Sequence, residues 1–110
     1  MVPVAPTGWI SKNKPFKVSV LGEKLVFWKQ NSSFITGLRD ICPHRFAQLS
    51  RGVITPQKKL KCGYHGIEYN EVGKATLIPH SKKNKCDGIQ ANKFETATNF
   101  ELTWVNIDPQ

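Results

Sequence analysis

The sequence predicts an all-β fold, a small antiparallel β-sandwich or partly open barrel from which two irregular loops project. Three observations predict it. No segment sustains three or four turns of helical periodicity, short runs of strand-forming residues recur at close spacing, and Gly, Pro, Asn and Asp punctuate the intervals between them. With 110 residues, 39% of them apolar and 22% charged, the chain suits one compact domain with a modest core.

Residues 1–15 carry Pro3, Pro6, Gly8 and Pro15 and read as an irregular lead-in, anchored by Trp9 and Ile10. A single domain is expected over 16–108. Phe16 to Val20 alternates apolar and polar side chains, Lys24 to Lys29 is rich in strand formers, and Leu21-Gly22-Glu23 between them reads as a hairpin turn. Phe34 to Leu38 gives a third strand, in which Gly37 marks a weakness or bulge. Short strands are expected at Val53 to Thr55 and Lys59 to Lys61 around a Pro56-Gln57 turn, then at Ile67 to Tyr69 and Lys74 to Ile78. A last hairpin pairs Phe94 to Thr98 with Glu101 to Val105 around Asn99. Phe46 to Leu49 has room for one helical turn at most. The stretches 40–50 and 62–68 are left as loops.

Lys and Arg number 16 against 8 for Asp and Glu, a formal charge of +8 that suits solubility or an acidic protein partner. Nucleic acid is disfavoured because no helix or aromatic-basic platform stands out. No apolar run reaches membrane-spanning length, and residues 1–14 hold no uninterrupted apolar stretch of signal-core size, so a cytoplasmic protein with no membrane contact is the default expectation. Three cysteines are too few and too unevenly placed for a disulfide framework, and interleaved with histidines they read as metal ligands.

The chemically informative text is Cys42-Pro43-His44-Arg45, followed by Cys62-Gly63-Tyr64-His65-Gly66. These are a CxH pair and a CxxH pair, separated by 17 residues between His44 and Cys62. Soft thiolates and borderline imidazoles in equal number suit an iron–sulfur centre or zinc, whereas magnesium or calcium would want oxygen ligands. Residue types alone leave both soft-metal readings open.

With this signature the sequence resembles the Rieske 2Fe-2S family, and in particular the N-terminal Rieske domains of ring-hydroxylating and related non-haem iron oxygenases. The two ligand pairs carry the resemblance, together with Leu49-Ser50-Arg51-Gly52, Tyr69 and Gly73, and it runs from Gly8-Trp9 through Gly22 and Val26 to Trp104-Val105 and Asp108. It implies one 2Fe-2S cluster of Rieske type held by Cys42, His44, Cys62 and His65. The cysteines would hold one iron and the histidines the other. It also implies that Gly63 and Gly66 let the backbone approach the cluster, that Pro43 stiffens the first loop, and that Ile78-Pro79 belongs to a shielding loop. The extra cysteines of the respiratory branch are replaced by Ala47 and Tyr64, and its serine donor by Ile67. Fewer donors to the cluster place its potential low in the Rieske range, roughly −150 to 0 mV.

Other residues receive plainer readings. Cys86 is a thiol without a role, His80 a solvated histidine, and Trp9, Trp28, Phe46, Phe94 and Trp104 are packing aromatics. Arg45 screens the site, meets a partner or is simply solvated, while Lys58, Lys59 and Lys61, with Lys82, Lys83 and Lys85, either steer a partner or protect strand edges.

The resembled oxygenases hold a further iron through two histidines and a carboxylate. Once two of this chain's three histidines are assigned to the cluster, only His80 remains, so that catalytic domain is absent. The first expectation is therefore a stand-alone Rieske ferredoxin-like carrier of single electrons. It would take them from a reductase and pass them to an oxygenase or other redox acceptor. One alternative is a Rieske subunit or truncated fragment of a non-haem iron oxygenase that needs a separate catalytic chain. A second is a non-enzymatic interaction module stabilised by a cluster or by zinc.

Overall fold

The computed structural model describes residues 1–31, 34–43, 47–63, 66–77 and 89–107. Within them the chain is built from β1 (Val2–Pro6), β2 (Phe16–Val20), β3 (Glu23–Lys29), β4 (Ile35–Arg39), β5 (Val53–Ile54), β6 (Leu60–Lys61), β7 (Glu68–Tyr69), β8 (Ala75–Leu77), β9 (Lys93–Phe94), β10 (Thr96–Asn99) and β11 (Leu102–Val105). Single 3-10 turns occupy Thr7–Trp9 and Leu49–Arg51, and the described residues contain no α-helix. The strands form three antiparallel sheets in the orders β1-β11-β10, β2-β3-β4-β9 and β5-β6-β7-β8. This is the open all-β architecture expected from the sequence.

The β2-β3-β4-β9 sheet is central because β3 has an apolar surface on both faces. Leu25 and Phe27 enter one buried cluster with Ile10, Ile35, Phe94 and Val105, while Val26 and Trp28 enter another with Leu38, Cys42, Leu49, Leu60, Cys62, Ile67 and Tyr69. Alternate side chains of a strand point to opposite faces, so an uninterrupted apolar run is what a strand covered on both sides requires. Gly37 lies opposite Phe27 in the ladder. A Cβ there would come within 2.6 Å of the Phe27 ring, so the glycine is needed for space and does not mark a bulge.

The first part of residues 1–15 is more regular than its prolines suggest, whereas residues 10–15 form no strand or helix. Val2–Pro6 pairs with β11 and shifts register between Pro3 and Ala5. The strand lies at the edge of its sheet, where a proline's missing N–H can be turned away from the ladder. Ile10 anchors this segment at 1% exposure, but Trp9 stands 68% exposed and anchors nothing. The first hairpin is also tighter than expected: Glu23 belongs to β3, and Leu21-Gly22 alone make the turn, both with positive φ. The final hairpin breaks at Glu95, between β9 and β10, and turns on Phe100 and Glu101, again with positive φ. A 3-10 turn occupies Leu49–Arg51, while Phe46, where the one possible helical turn was placed, lies outside the described residues. Ile78, which the sequence placed in a strand, lies outside the described residues, as do Pro79, His80, Cys86 and the lysines at 82, 83 and 85.

Candidate metal centre

The two loops expected to carry ligands leave the fold at fixed points. Cys42 lies three residues beyond β4, and Cys62 directly follows β6. Both are buried, in the cluster that includes Leu49, Leu60, Ile67 and Tyr69. His44, Arg45, Tyr64 and His65 fall outside the described residues. Among those described, accordingly, no group of three or more potential metal ligands occurs.

The first loop is closed by Asp40. Its carboxylate accepts the Ser50 backbone N–H at 2.7 Å and the Ser50 hydroxyl at 2.6 Å, although Asp40 itself is only 4% exposed. Hydrogen bonds to a charged, buried acceptor are among the stronger ones in proteins, and this pair joins the two ends of the segment that holds Cys42 and His44. Inside the loop the Cys42 N–H donates to the Ala47 carbonyl at 2.7 Å. The second loop folds around Cys62, whose N–H donates to the Ile67 carbonyl at 2.8 Å and whose carbonyl accepts from Gly66 at 2.9 Å. Gly66 has φ of 72°, a conformation that favours glycine.

Backbone contact joins the loops. A Cβ on Gly52 would lie 2.0 Å from the Lys61 carbonyl oxygen, and one on Gly63 would lie 3.0 Å from the Arg51 carbonyl oxygen. Glycine is therefore required at position 52, where the segment after Ser50 crosses the segment around Cys62, and a side chain at 63 would be tight. The sequence pointed to Gly63, but for approach to a cluster, and it gave no role to Gly52. Asp40 was also missed as a site residue. An aspartate and a serine bracketing the Cys-Pro-His text was the signal that could have found it.

Tyr69, on β7, places its hydroxyl 3.1 Å from the Cys42 sulfur. Burial pushes the phenol far above its usual range, and the hydrogen bond to Cys42 and then the negative charges of Cys42 and Cys62 push the same way. Tyr69 thus remains a neutral phenol. A thiolate has no proton to give, so in a metal site the phenol is the donor and the sulfur the acceptor.

The donor chemistry fits a mixed-ligand iron–sulfur centre. Two soft sulfur donors from separate loops sit in an apolar core, one with a hydroxyl aimed at it, and each belongs to a Cys/His pair. As thiolates, both would be costly in such surroundings without a cation. The site therefore asks for a positively charged inorganic centre.

Comparison with known proteins points the same way. The Rieske [2Fe-2S] domain matches residues 1–98. The chain is 32% identical over 92 residues to the oxygenase component of dicamba O-demethylase from Stenotrophomonas maltophilia, covering 84% of this chain and 27% of that protein. It is 36% identical over 102 residues to methylxanthine N3-demethylase from Pseudomonas putida, covering 89% of this chain and 28% of that one. Among solved structures, dicamba monooxygenase bound to dicamba superposes with a TM-score of 0.87 at 30% identity, over 94% of this chain and 32% of the other. The chain thus spans between a quarter and a third of the length of these relatives. The matched family, the buried cysteine pair and the fold agree: this chain belongs to the Rieske [2Fe-2S] domain family, and its cofactor is a Rieske-type 2Fe-2S cluster.

Proposed function

We propose that Cys42 and Cys62 hold one iron of the cluster, that His44 and His65 hold the other, and that the chain is the electron-transfer domain of a non-haem iron oxygenase. When bound, the cluster accepts and returns one electron. Catalytic iron and substrate pocket would be supplied by polypeptide beyond these 110 residues. The observation that carries this reading is the pairing of two facts. Matches cover 84–94% of this chain but 27–32% of relatives that include an oxygenase component and a monooxygenase. Those proportions favour an oxygenase part over the stand-alone carrier expected first.

The chain's own residues have definable tasks in this reading. The Asp40 carboxylate and Ser50 hold the first loop closed, which limits the positions open to Cys42 and His44. Tyr69 donates its proton toward the Cys42 sulfur and so draws negative charge from it. Leu49, Leu60 and Ile67 exclude water from the sulfur side, which keeps the thiolates from protonation and exchange. A reductase would supply the electron; among the relatives one is named an oxygenase component and another an oxidoreductase from Pseudomonas putida.

Anaerobically purified protein should show visible charge-transfer bands that bleach with dithionite and a reduced EPR signal whose average g lies below the free-electron value. His65→Ala and Cys62→Ser should abolish both. Stoichiometric zinc in a colourless protein that resists cluster reconstitution would overturn the reading. The purified chain, given reductant and oxygen alone, should turn over no substrate; product formation would show that it carries a catalytic centre of its own.

A further inference from the structure

Charge is distributed unevenly along the β5-β6-β7-β8 sheet. β6 runs from the 55–59 turn into Cys62, and β7 runs antiparallel to it, so the 55–59 and 70–74 turns share the end opposite Cys62. With a rise of about 3.3 Å per residue, the four residues from Lys58 to Cys62 set these ends roughly 13 Å apart. Lys58 draws in a third segment, because its ammonium donates to the Lys12 carbonyl at 3.2 Å and to Asn13 Oδ1 at 3.4 Å. Lys12, Lys58, Lys59 and Lys74 therefore gather at one end, with exposed Lys14 two residues along the chain from Lys12 and Glu71 as the acid among them. At the Cys62 end, by contrast, Lys61 lies opposite the acidic Glu68 in the ladder, and the Arg51 side chain turns to the neutral Gln48.

The lysine-rich end is also held in place. The buried Trp28 indole donates to the Lys58 carbonyl at 2.8 Å, and Lys58 adopts φ of 64°, an unusual conformation for a lysine that its contacts on both sides maintain. The one ion pair among the described residues, Arg39 with Glu23, lies elsewhere. Like charges gathered on a fixed frame with a single acid among them disfavour the isolated domain and favour a complex with an oppositely charged surface.

We propose that this end, centred on Lys12, Lys14, Lys58 and Lys59, docks the acidic surface of the protein that delivers the electron. The inference rests on the redox reading above. In the step it serves, the reduced donor, a flavin or iron–sulfur protein, loses one electron and this domain gains it, with no atom transferred. The end that carries the ligand loops is left to the acceptor.

The test uses cluster-loaded protein and an acidic plant-type 2Fe-2S ferredoxin as the probe, with binding followed by calorimetry. Binding should weaken steeply as salt rises, and the K12E/K14E/K59E triple variant should raise Kd at least about tenfold. Lys58 is spared because it fastens three segments. The control K17E/K24E/K93E makes the same change in net charge at exposed lysines elsewhere and should alter Kd by less than about threefold. Equal weakening in both triples would overturn the proposal in favour of bulk charge. So would absence of binding by a wild-type protein whose EPR shows the cluster intact, or binding of the lysine-rich end to anionic vesicles or RNA but not to the protein probe. Failure of the redox reading would appear separately, as absence of the EPR signal.

Discussion

The central sheet and the ligand-bearing sheet are built on opposite principles. In β3 and β4 the strands run to seven and five residues, and eight consecutive-in-space positions, Leu25 to Trp28 and Ile35 to Leu38, are buried. In the β5-β6-β7-β8 sheet no strand exceeds three residues among those described. There the order comes from particular links: Asp40 to Ser50, Tyr69 to Cys42, and the glycine crossing at Gly52 and Gly63. Burial stabilises the first region whatever the state of the metal, whereas the second converges on residues assigned to the cluster. Metal affinity should therefore act as folding free energy mainly in the ligand-bearing half.

Removing the cluster is the largest perturbation of that difference. In apo protein, amide hydrogen exchange across β5 to β8 should accelerate at least about 100-fold, while β3 and β4 change by less than about tenfold. Equal loss in both sheets would show that they form one cooperative unit. Gly37→Ala strikes the other half, because the new methyl group must displace the Phe27 ring. It should cost about 1–3 kcal/mol in denaturant melts and leave the potential of the folded protein nearly unchanged.

Smaller effects sharpen the contrast within the site. Tyr69→Phe removes one donor to Cys42 with little loss of packing. A hydrogen bond worth about 0.5–1.5 kcal/mol to the reduced state corresponds to roughly 20–60 mV for one electron, and the potential should fall by that amount in a redox titration. An unchanged potential would mean that the phenol does not donate to the sulfur. Smallest of all, Glu23→Gln breaks a half-exposed ion pair with Arg39 at 3.2 Å and should shift stability by no more than about 0.5 kcal/mol, with the effect disappearing in high salt.

The sequence revealed the two halves to different degrees, for a physical reason. Apolar runs and turn residues are local signals, so the β2-β3 hairpin and the existence of β4 could be read directly, and the Cys/His spacing marked the loops; the pairing of β4 with β3 came only with the structure. The Asp40–Ser50 closure and the Gly52 crossing depend on residues brought together by folding. The aspartate and serine that bracket the Cys-Pro-His text hint at the closure, but nothing local shows that Gly52 meets the Lys61 carbonyl. Pro3 and Pro6 misled for a related reason: a proline weakens a strand only where its nitrogen must donate, and β1 lies at an edge, a fact invisible until the sheet order is known. Trp9, an aromatic that pattern alone would bury, ended in solvent.

The double burial of β3 has a consequence for how this chain can diverge. Its neighbouring residues belong to separate cores: Leu25 and Phe27 to one, Val26 and Trp28 to the other. Insertion of a single residue near Leu25 would exchange the two sets, sending a tryptophan into a space shaped for phenylalanine and setting polar Lys24 or Lys29 against one interior. Length changes are thus forbidden along this strand, while point substitutions on one face can drift without consulting the other. The two sides of the domain can accordingly follow separate evolutionary histories while sharing a single wall.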